Sequence, residues 1–291
     1  MRSLLLVASM VLVGASTLVA APPPAARDAL FAPIPSWTQT SSAGGVTLAY
    51  QSNRSSYNLA VRATRPRQGA PIAQWKQLWT DELASAQLRT SIAPGPHRAR
   101  LSSGYAVYWD GGKMQTIQGV DVVAVVYLVV GADRVLPIVG FFRSKANDDN
   151  TLDYDLEESL EPWFSTIRLT GGPATEPLYE TTDLIGTWTT GSAATETLEL
   201  RAGGRYVSTY RGAALGTAFT DTSTGTWSID DTALVVHARA TQEARRIWSI
   251  GGAPSGASSI RIAPSYASQT NAPLANPRSS DRAGWFVRTS Q

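Results

Sequence analysis

The sequence predicts two domains of different fold class: an α+β domain, in which helices cover an antiparallel sheet, and then an all-β domain that forms a small antiparallel barrel. Helical periodicity in the first half, and its absence after residue 178, indicate this division. A Gly- and Pro-containing linker at 170–177 separates the halves, and 291 residues are enough for two cores. We therefore expect domains at 31–170 and 178–291, behind a leader at 1–21.

The leader has the parts of an export signal. Arg2 supplies a positive end, residues 4–13 are apolar, and small residues continue to the prolines at 22–24. We expect a signal peptide over 1–21, with cleavage after Ala20 preferred. The alternative is an uncleaved membrane anchor, for which the apolar run is short of the ~20 residues that a span requires. After signal cleavage, the sequence predicts no membrane span.

Cysteine usage and charge limit the compartment and the partners. The chain has no cysteine, which excludes disulfides, thiolate metal sites and a cysteine nucleophile. An exported protein without disulfides fits a bacterial periplasm better than a eukaryotic exterior, so we expect a periplasmic or secreted protein. With 25 basic and 23 acidic residues the net charge is +2, which does not indicate a nucleic-acid-binding protein.

The first half combines strand and helix patterns. Residues 57–64 alternate apolar and polar side chains, as a half-buried strand does, and 45–51 is predicted to precede it as a strand. A helix is predicted to begin at Pro71, because proline suits the first helical turn. Its apolar face is predicted to consist of Ile72, Trp75, Trp79 and Leu83. The remaining predicted elements are a hairpin that turns at 110–112, a buried strand at 120–130, a strand at 135–142 and a closing helix at 152–164.

This half resembles the bacterial relatives of the PsbP/Mog1-like fold. The resemblance lies in the opening hairpin, in the helix that carries Trp75 and Trp79, and in the closing segment 160–169. Members of such families mostly bind partners or act as assembly factors. The resemblance therefore implies binding and no chemistry.

The second half has about nine short strand patterns, with turn residues at most of the joints. Sequential strands of this length usually pair with their neighbours as a meander, and a meander that closes on itself removes its exposed edges. We therefore expect a barrel. The predicted strands are 184–188, 195–201, 205–210, 218–220, 225–229, 234–238, 244–250, 258–263 and 285–288.

The second half also resembles the lipocalin-like domains of exported bacterial proteins. The resemblance rests on Gly186-Thr187-Trp188 at the first strand and Phe286-Val287-Arg288 at the last. In lipocalins the early tryptophan sits at the closed end of the barrel, and a basic residue of the last strand packs across it. The resemblance implies that Trp188 and Arg288 form such a pair, with the cation over the indole ring.

A barrel of this size is either filled by its own side chains or able to hold one small ligand, and the sequence leaves both possibilities open. If it is hollow, we expect an apolar pocket in which Tyr206, Tyr210 or Arg246 is the polar anchor. The residues predicted to bind the ligand are Tyr206, Tyr210, Phe219, Trp227, Arg246 and Trp248.

No catalytic signature is present. The spacing around His97 and His237 supplies no third ligand for a metal site, and no serine lies in a nucleophile-elbow pattern. The acidic cluster at 148–158 is more typical of a helix start than of a calcium loop. The sequence predicts no cofactor and no metal. We expect an exported, non-enzymatic binding protein for a small apolar ligand or an envelope protein. The alternative is a hydrolase or isomerase that uses a carboxylate pair in an interdomain cleft.

Overall fold

A computed structural model describes most of the chain after its first 27 residues. The described residues are 28–51, 55–88, 96–119, 121–144, 160, 162–190, 195–214, 217–231, 233–238, 241–252, 258–262 and 284–290. The predicted signal peptide at 1–21 and the acidic cluster at 148–158 lie outside them, as does most of the predicted helix at 152–164. The division into domains and the export signal stay predictions.

The first half is built from ten strands and one long helix among the described residues. Pro71 begins the helix, as predicted, and its buried side consists of Trp75, Leu78, Trp79 and Leu83 together with Glu82, which accepts a hydrogen bond from Arg62. The elements are β1 (Ala29–Leu30), β2 (Thr38–Ser42), β3 (Gly45–Gln51), β4 (Ser55–Arg62), β5 (Arg65–Pro66), α1 (Pro71–Ser85), β6 (His97–Arg100), β7 (Ala106–Gln115), β8 (Asp121–Val130), β9 (Arg134–Ser144) and β10 (Arg168–Leu169).

The second half begins with one helical turn and continues with strands. A reciprocal capping box between Glu180 and Asp183 fixes this turn, because each side chain accepts a hydrogen bond from the other's backbone N–H. The elements are α2 (Thr181–Leu184), β11 (Gly186–Thr190), β12 (Thr195–Arg201), β13 (Arg205–Ala214), β14 (Thr217–Asp230), β15 (Ala233–Ala238), β16 (Thr241–Gly252), β17 (Ser258–Ile262) and β18 (Gly284–Ser290).

Almost all the strands belong to one large antiparallel sheet. Its sixteen strands follow the order β15-β14-β13-β12-β11-β18-β17-β16-β6-β7-β8-β9-β4-β3-β2, with β5 attached to β9. The strands β1 and β10 form a separate pair. The two halves meet at the pair Ser249–His97, where β16 lies beside β6. Among the described helices, none is long and apolar enough to cross a membrane.

The predicted fold class is wrong. The chain is mostly β, and its first half is not an α+β domain covered by helices. The second half is not a separate barrel either, because its strands belong to the same sheet as those of the first half. Although β15 pairs with β16 as well as with β14, β16 also pairs with β6, so the sheet continues into the first half. Alternating side chains identify a strand and its buried side, but not the strand with which it pairs.

The hairpin turn predicted at 110–112 is also wrong. These residues lie inside β7, which runs from Ala106 to Gln115, and the chain turns later, at 116–119. Gly111 is needed there for a different reason, since a Cβ atom at this position would lie 2.5 Å from Cγ2 of Val125 on β8. Gly111 therefore permits close packing of neighbouring strands rather than a turn.

Two apolar clusters fill the molecule. One lies on the side of the sheet that carries Tyr57 and Tyr127, and it includes Phe164, whose ring packs against Tyr127. The other includes Trp75 and Trp79 of α1, and it continues without a break to Trp188 and Trp227 of the second half. A single core therefore contains residues from both sides of the linker, and it forms the floor beneath the site described next.

Candidate ligand-binding face on strands β12 to β14

Three neighbouring strands place the candidate site on one surface of the sheet. Residues directly opposite each other in an antiparallel pair lie on the same face. Successive residues of one strand point to opposite faces. The register gives three rows across β12, β13 and β14: Leu200–Tyr206–Gly225, Leu198–Ser208–Ser223 and Glu196–Tyr210–Asp221. We call this surface, together with Trp227 and Phe219 at its two ends, the β12–β14 face.

The lower end of the β12–β14 face is apolar and buried. Leu198, Leu200, Tyr206 and Trp227 are each at most 4% exposed. The indole Nε1 of Trp227 donates a hydrogen bond of 3.1 Å to the carbonyl of Arg201, so this buried N–H has a partner. These side chains form the buried floor of the face, so a ligand contacts the atoms that lie above them.

Polar groups lie above this floor. The hydroxyl groups of Tyr206 and Ser223 share a hydrogen bond of 3.1 Å. The Ser208 hydroxyl donates to Oε1 of Glu196 at 3.0 Å, and the Glu196 backbone N–H donates to Oγ1 of Thr190 at 2.9 Å. Hydrogen bonds therefore hold the hydroxyls of Tyr206, Ser208 and Ser223 and the carboxylate of Glu196 where the sheet passes from buried to exposed, and these groups offer both donors and acceptors.

Two aromatic rings occupy the upper end of the β12–β14 face. Tyr210 is 40% exposed and Phe219 is 44% exposed, and their ring centroids are 5.8 Å apart. Gly212 lies opposite Phe219 in the register. A Cβ atom at Gly212 would lie 3.0 Å from Cε1 of Tyr210 and 3.1 Å from Cζ of Phe219. The glycine thus allows both rings to lie over the backbone, where they form an exposed apolar surface.

Trp188 and Arg288 lie in contact beside this face. The Arg288 guanidinium carbon is 4.4 Å from the centre of the Trp188 ring, and the two residues pair in the register of β11 and β18. Nη2 of Arg288 donates to the carbonyls of Asp183 and Ile185, at 2.9 and 3.0 Å. The Trp188 Nε1 donates to the carbonyl of Leu184 at 2.7 Å. Both side chains therefore tie the strands to α2.

A second arginine approaches α2 from the first half. Arg98 of β6 is 7% exposed, and its Nη1 donates to the carbonyl of Leu178 at 2.7 Å. Its guanidinium lies 4.5 Å from the Tyr179 ring and 5.8 Å from the ring of Tyr108. Burial raises the pKa of the Tyr108 hydroxyl, although the positive charge of Arg98 opposes the shift. This junction is a structural contact between the halves.

The structure brings together four of the six residues predicted to bind a ligand. Tyr206 and Trp227 are in the buried floor, and Tyr210 and Phe219 form the exposed pair. In the backbone register, Arg246 pairs with Ala233, and Trp248 falls where the pairing of β16 with β17 shifts. The side chains of these two residues lie outside the described part of the structure.

Sequence reasoning missed Glu196, Ser208, Asp221 and Ser223. Within the predicted strand 195–201, alternation puts Glu196 on the same side as Leu198 and Leu200. The other three depend on the register, and Asp221 and Ser223 were expected in a connection between two short strands. They lie instead inside β14, which is one continuous strand of 14 residues. A threonine-rich stretch with few apolar residues gave no signal for that continuity.

The structure places the two histidines on different strands, His97 on β6 and His237 on β15. His97 is 4% exposed and its ring lies 5.2 Å from that of Trp109, while His237 is exposed on β15. No group of three potential ligands converges among the described His, Asp and Glu residues. Hydrogen bonds from arginine lower the pKa of Glu176 and of Glu199, which is the opposite of what a general acid needs.

Comparisons of this chain with protein-family models, with curated proteins and with solved structures found no match.

Proposed function

We propose that this chain is an exported, non-enzymatic binding protein that takes a small apolar ligand on the β12–β14 face. The ligand lies against the rings of Tyr210 and Phe219. A polar group on the ligand hydrogen-bonds to the polar groups of Glu196, Ser208, Tyr206 and Ser223, which together we call the polar row. Such a combination of apolar surface with a few fixed polar groups is typical of small-molecule sites.

The exposed aromatic pair is the observation that supports this proposal most strongly. Large aromatic side chains are rarely left together in solvent without a role, because burying them is favourable. Here the sequence keeps a glycine beneath them, which preserves their position at the cost of strand stability. The polar row at the inner edge of the pair gives a ligand a defined orientation.

Titration with the neutral fluorescent probe N-phenyl-1-naphthylamine tests the proposal. The probe should bind at one site, and the double variant Tyr210→Ala with Phe219→Ala should weaken binding about tenfold, since both rings supply apolar contact area. Both side chains are exposed, so the variant should fold normally, as circular dichroism would verify.

The matched control is the double variant Leu30→Ala with Ile117→Ala. These two side chains are 66% and 57% exposed and lie outside the β12–β14 face. The control should bind the probe as the unmodified protein does. Equal losses in the two double variants would mean that the probe binds any exposed apolar residue, and the proposal would then be wrong.

A further inference from the structure

We propose that the β12–β14 face selects ligands that carry a positively charged amine or quaternary ammonium group. This inference rests on the proposed function and specifies the chemical class of its ligand. The three strands sort their charged residues between the two faces of the sheet, and the charged residues that they place on the face of the exposed aromatic pair are Glu196 and Asp221.

Two carboxylates flank the tyrosine of that pair. Tyr210 lies directly opposite Glu196 on one side and directly opposite Asp221 on the other. Residues opposite each other on one face of an antiparallel pair have Cβ atoms about 4.5–5.5 Å apart. A ligand group above the Tyr210 ring therefore lies close to both carboxylates, with the Phe219 ring next to it.

The positive charges of the same three strands are on the other face. Arg201, Arg205 and Arg211 are the only cationic residues of β12, β13 and β14. Their positions alternate with those of Glu196 and Tyr210, which places them on the opposite side of the sheet. Arg288 lies on β18, which β11 separates from β12, and it is held against Trp188 and the carbonyls of Asp183 and Ile185.

An ammonium group fits this arrangement for two reasons. The faces of aromatic rings attract cations, and the attraction grows when the cation is partly desolvated. The carboxylates of Glu196 and Asp221, on the two sides of Tyr210, add a Coulombic attraction, which at a half-exposed surface is moderate and sensitive to salt. The same two charges repel an anionic ligand, so the arrangement discriminates between ligands of equal size and opposite charge.

The experiment compares three ligands with the same alkyl chain: decyltrimethylammonium, decanol and decanoate. Each displaces N-phenyl-1-naphthylamine from the full-length protein at concentrations below micelle formation. We expect decyltrimethylammonium to bind about tenfold more tightly than decanol, and decanoate to bind most weakly. The preference for the cation over the alcohol should shrink as salt is added.

Charge variants locate the preference. The double variant Glu196→Gln with Asp221→Asn should bring the three ligands to within about twofold of each other, since the attraction to the cation and the repulsion of the anion are both lost. Its control is Glu199→Gln with Asp230→Asn. This control removes the same charge from the same two strands, but on the opposite face, and it should keep the full preference.

The outcomes separate this inference from the proposed function. If all three ligands displace the probe equally well, the face binds apolar molecules without regard to charge, and only the inference is overturned. The same conclusion follows if both double variants lose the preference to the same extent. If the unmodified protein binds neither the probe nor any ligand, the inference and the proposed function are both overturned.

Discussion

At the scale of single residues, Arg100 shows how one side chain can join distant parts of this chain. Its Nε and Nη2 donate to the Asp231 carboxylate, at distances from 3.0 to 3.2 Å. The same guanidinium also donates to the carbonyls of Gly104, Ala174 and Glu176. The planar, five-donor guanidinium suits this task, which lysine could not perform. Arg100 therefore fastens β6 to the linker and to the turn before β15.

Replacing this arginine should destabilise the protein. In Arg100→Ala, we expect a loss of about 1–3 kcal/mol in the free energy of unfolding, since Asp231 and several carbonyls lose a charged donor. Urea unfolding followed by tryptophan fluorescence measures the loss. The control is Arg201→Ala, which removes an arginine–carboxylate pair whose side chains are 54% and 38% exposed. An equal effect of both substitutions would contradict the role given to Arg100.

Tyr108 should make stability depend on alkaline pH. Burial raises the pKa of its hydroxyl above the ordinary value of 10.0, so the unfolded chain loses this proton at a lower pH than the folded protein does. This contribution to stability is complete below pH 10.0 and is lost as the pH rises through the folded pKa. In Tyr108→Phe, the free energy of unfolding should decline less steeply above that pH. An unchanged decline, measured by denaturant titration at a series of pH values, would contradict this assignment.

At the scale of elements, β14 is the clearest test of what a sequence pattern can predict. Its lower part, which carries Trp227, alternates apolar and polar residues and was predicted as a strand. Its upper part is exposed on both sides and is held by its pairing with β13, so no burial pattern marked it. Helix α1 is the opposite case, because its apolar face and its opening proline are both local signals, and the prediction was confirmed.

The lower part of β14 also depends on close packing against β15. A Cβ atom at Gly225 would lie 1.9 Å from the carbonyl oxygen of His237, and backbone atoms cannot easily move aside. In Gly225→Ala, we therefore expect a loss of about 1–3 kcal/mol in the free energy of unfolding.

Gly44→Ala provides the control for that substitution. Its nearest neighbour beyond adjacent residues is Oγ of Ser42, at 3.9 Å, so the added methyl group has room. Thermal unfolding should show a clear decrease in midpoint for Gly225→Ala and little change for Gly44→Ala. If the unfolding midpoint of Gly225→Ala equalled that of the unmodified protein, β14 and β15 could move apart without a loss of stability, and the role given to Gly225 would be wrong.

At the scale of the whole molecule, the sheet and one apolar cluster cross the boundary between the halves. The cluster connects Trp75 and Trp79 with Trp188 and Trp227. In addition, Arg98 of β6 contacts Asp183 of α2, and Arg100 contacts Glu176 of the linker. Local periodicity could suggest each half, but contacts between strands far apart in sequence leave no local pattern. The apolar part of the β12–β14 face could be predicted, because alternation within single strands marks it. Its polar row could not be predicted, because it depends on the register between strands.

The continuous core should make unfolding cooperative. We expect differential scanning calorimetry of the full chain to show one transition, with equal calorimetric and van't Hoff enthalpies. Two well-separated transitions would contradict this expectation, because they would mean that the halves keep their structure independently of the shared cluster.

The position of a bound ligand tests the central claim most directly. We propose to record amide resonances of the ¹⁵N-labelled protein while N-phenyl-1-naphthylamine is added. The account predicts that the largest shifts occur at Glu196, Ser208, Tyr210, Phe219 and Asp221, and that they saturate together. Shifts centred on another aromatic surface, such as that of Trp37 and Tyr50, would contradict the assignment of the β12–β14 face as the binding site.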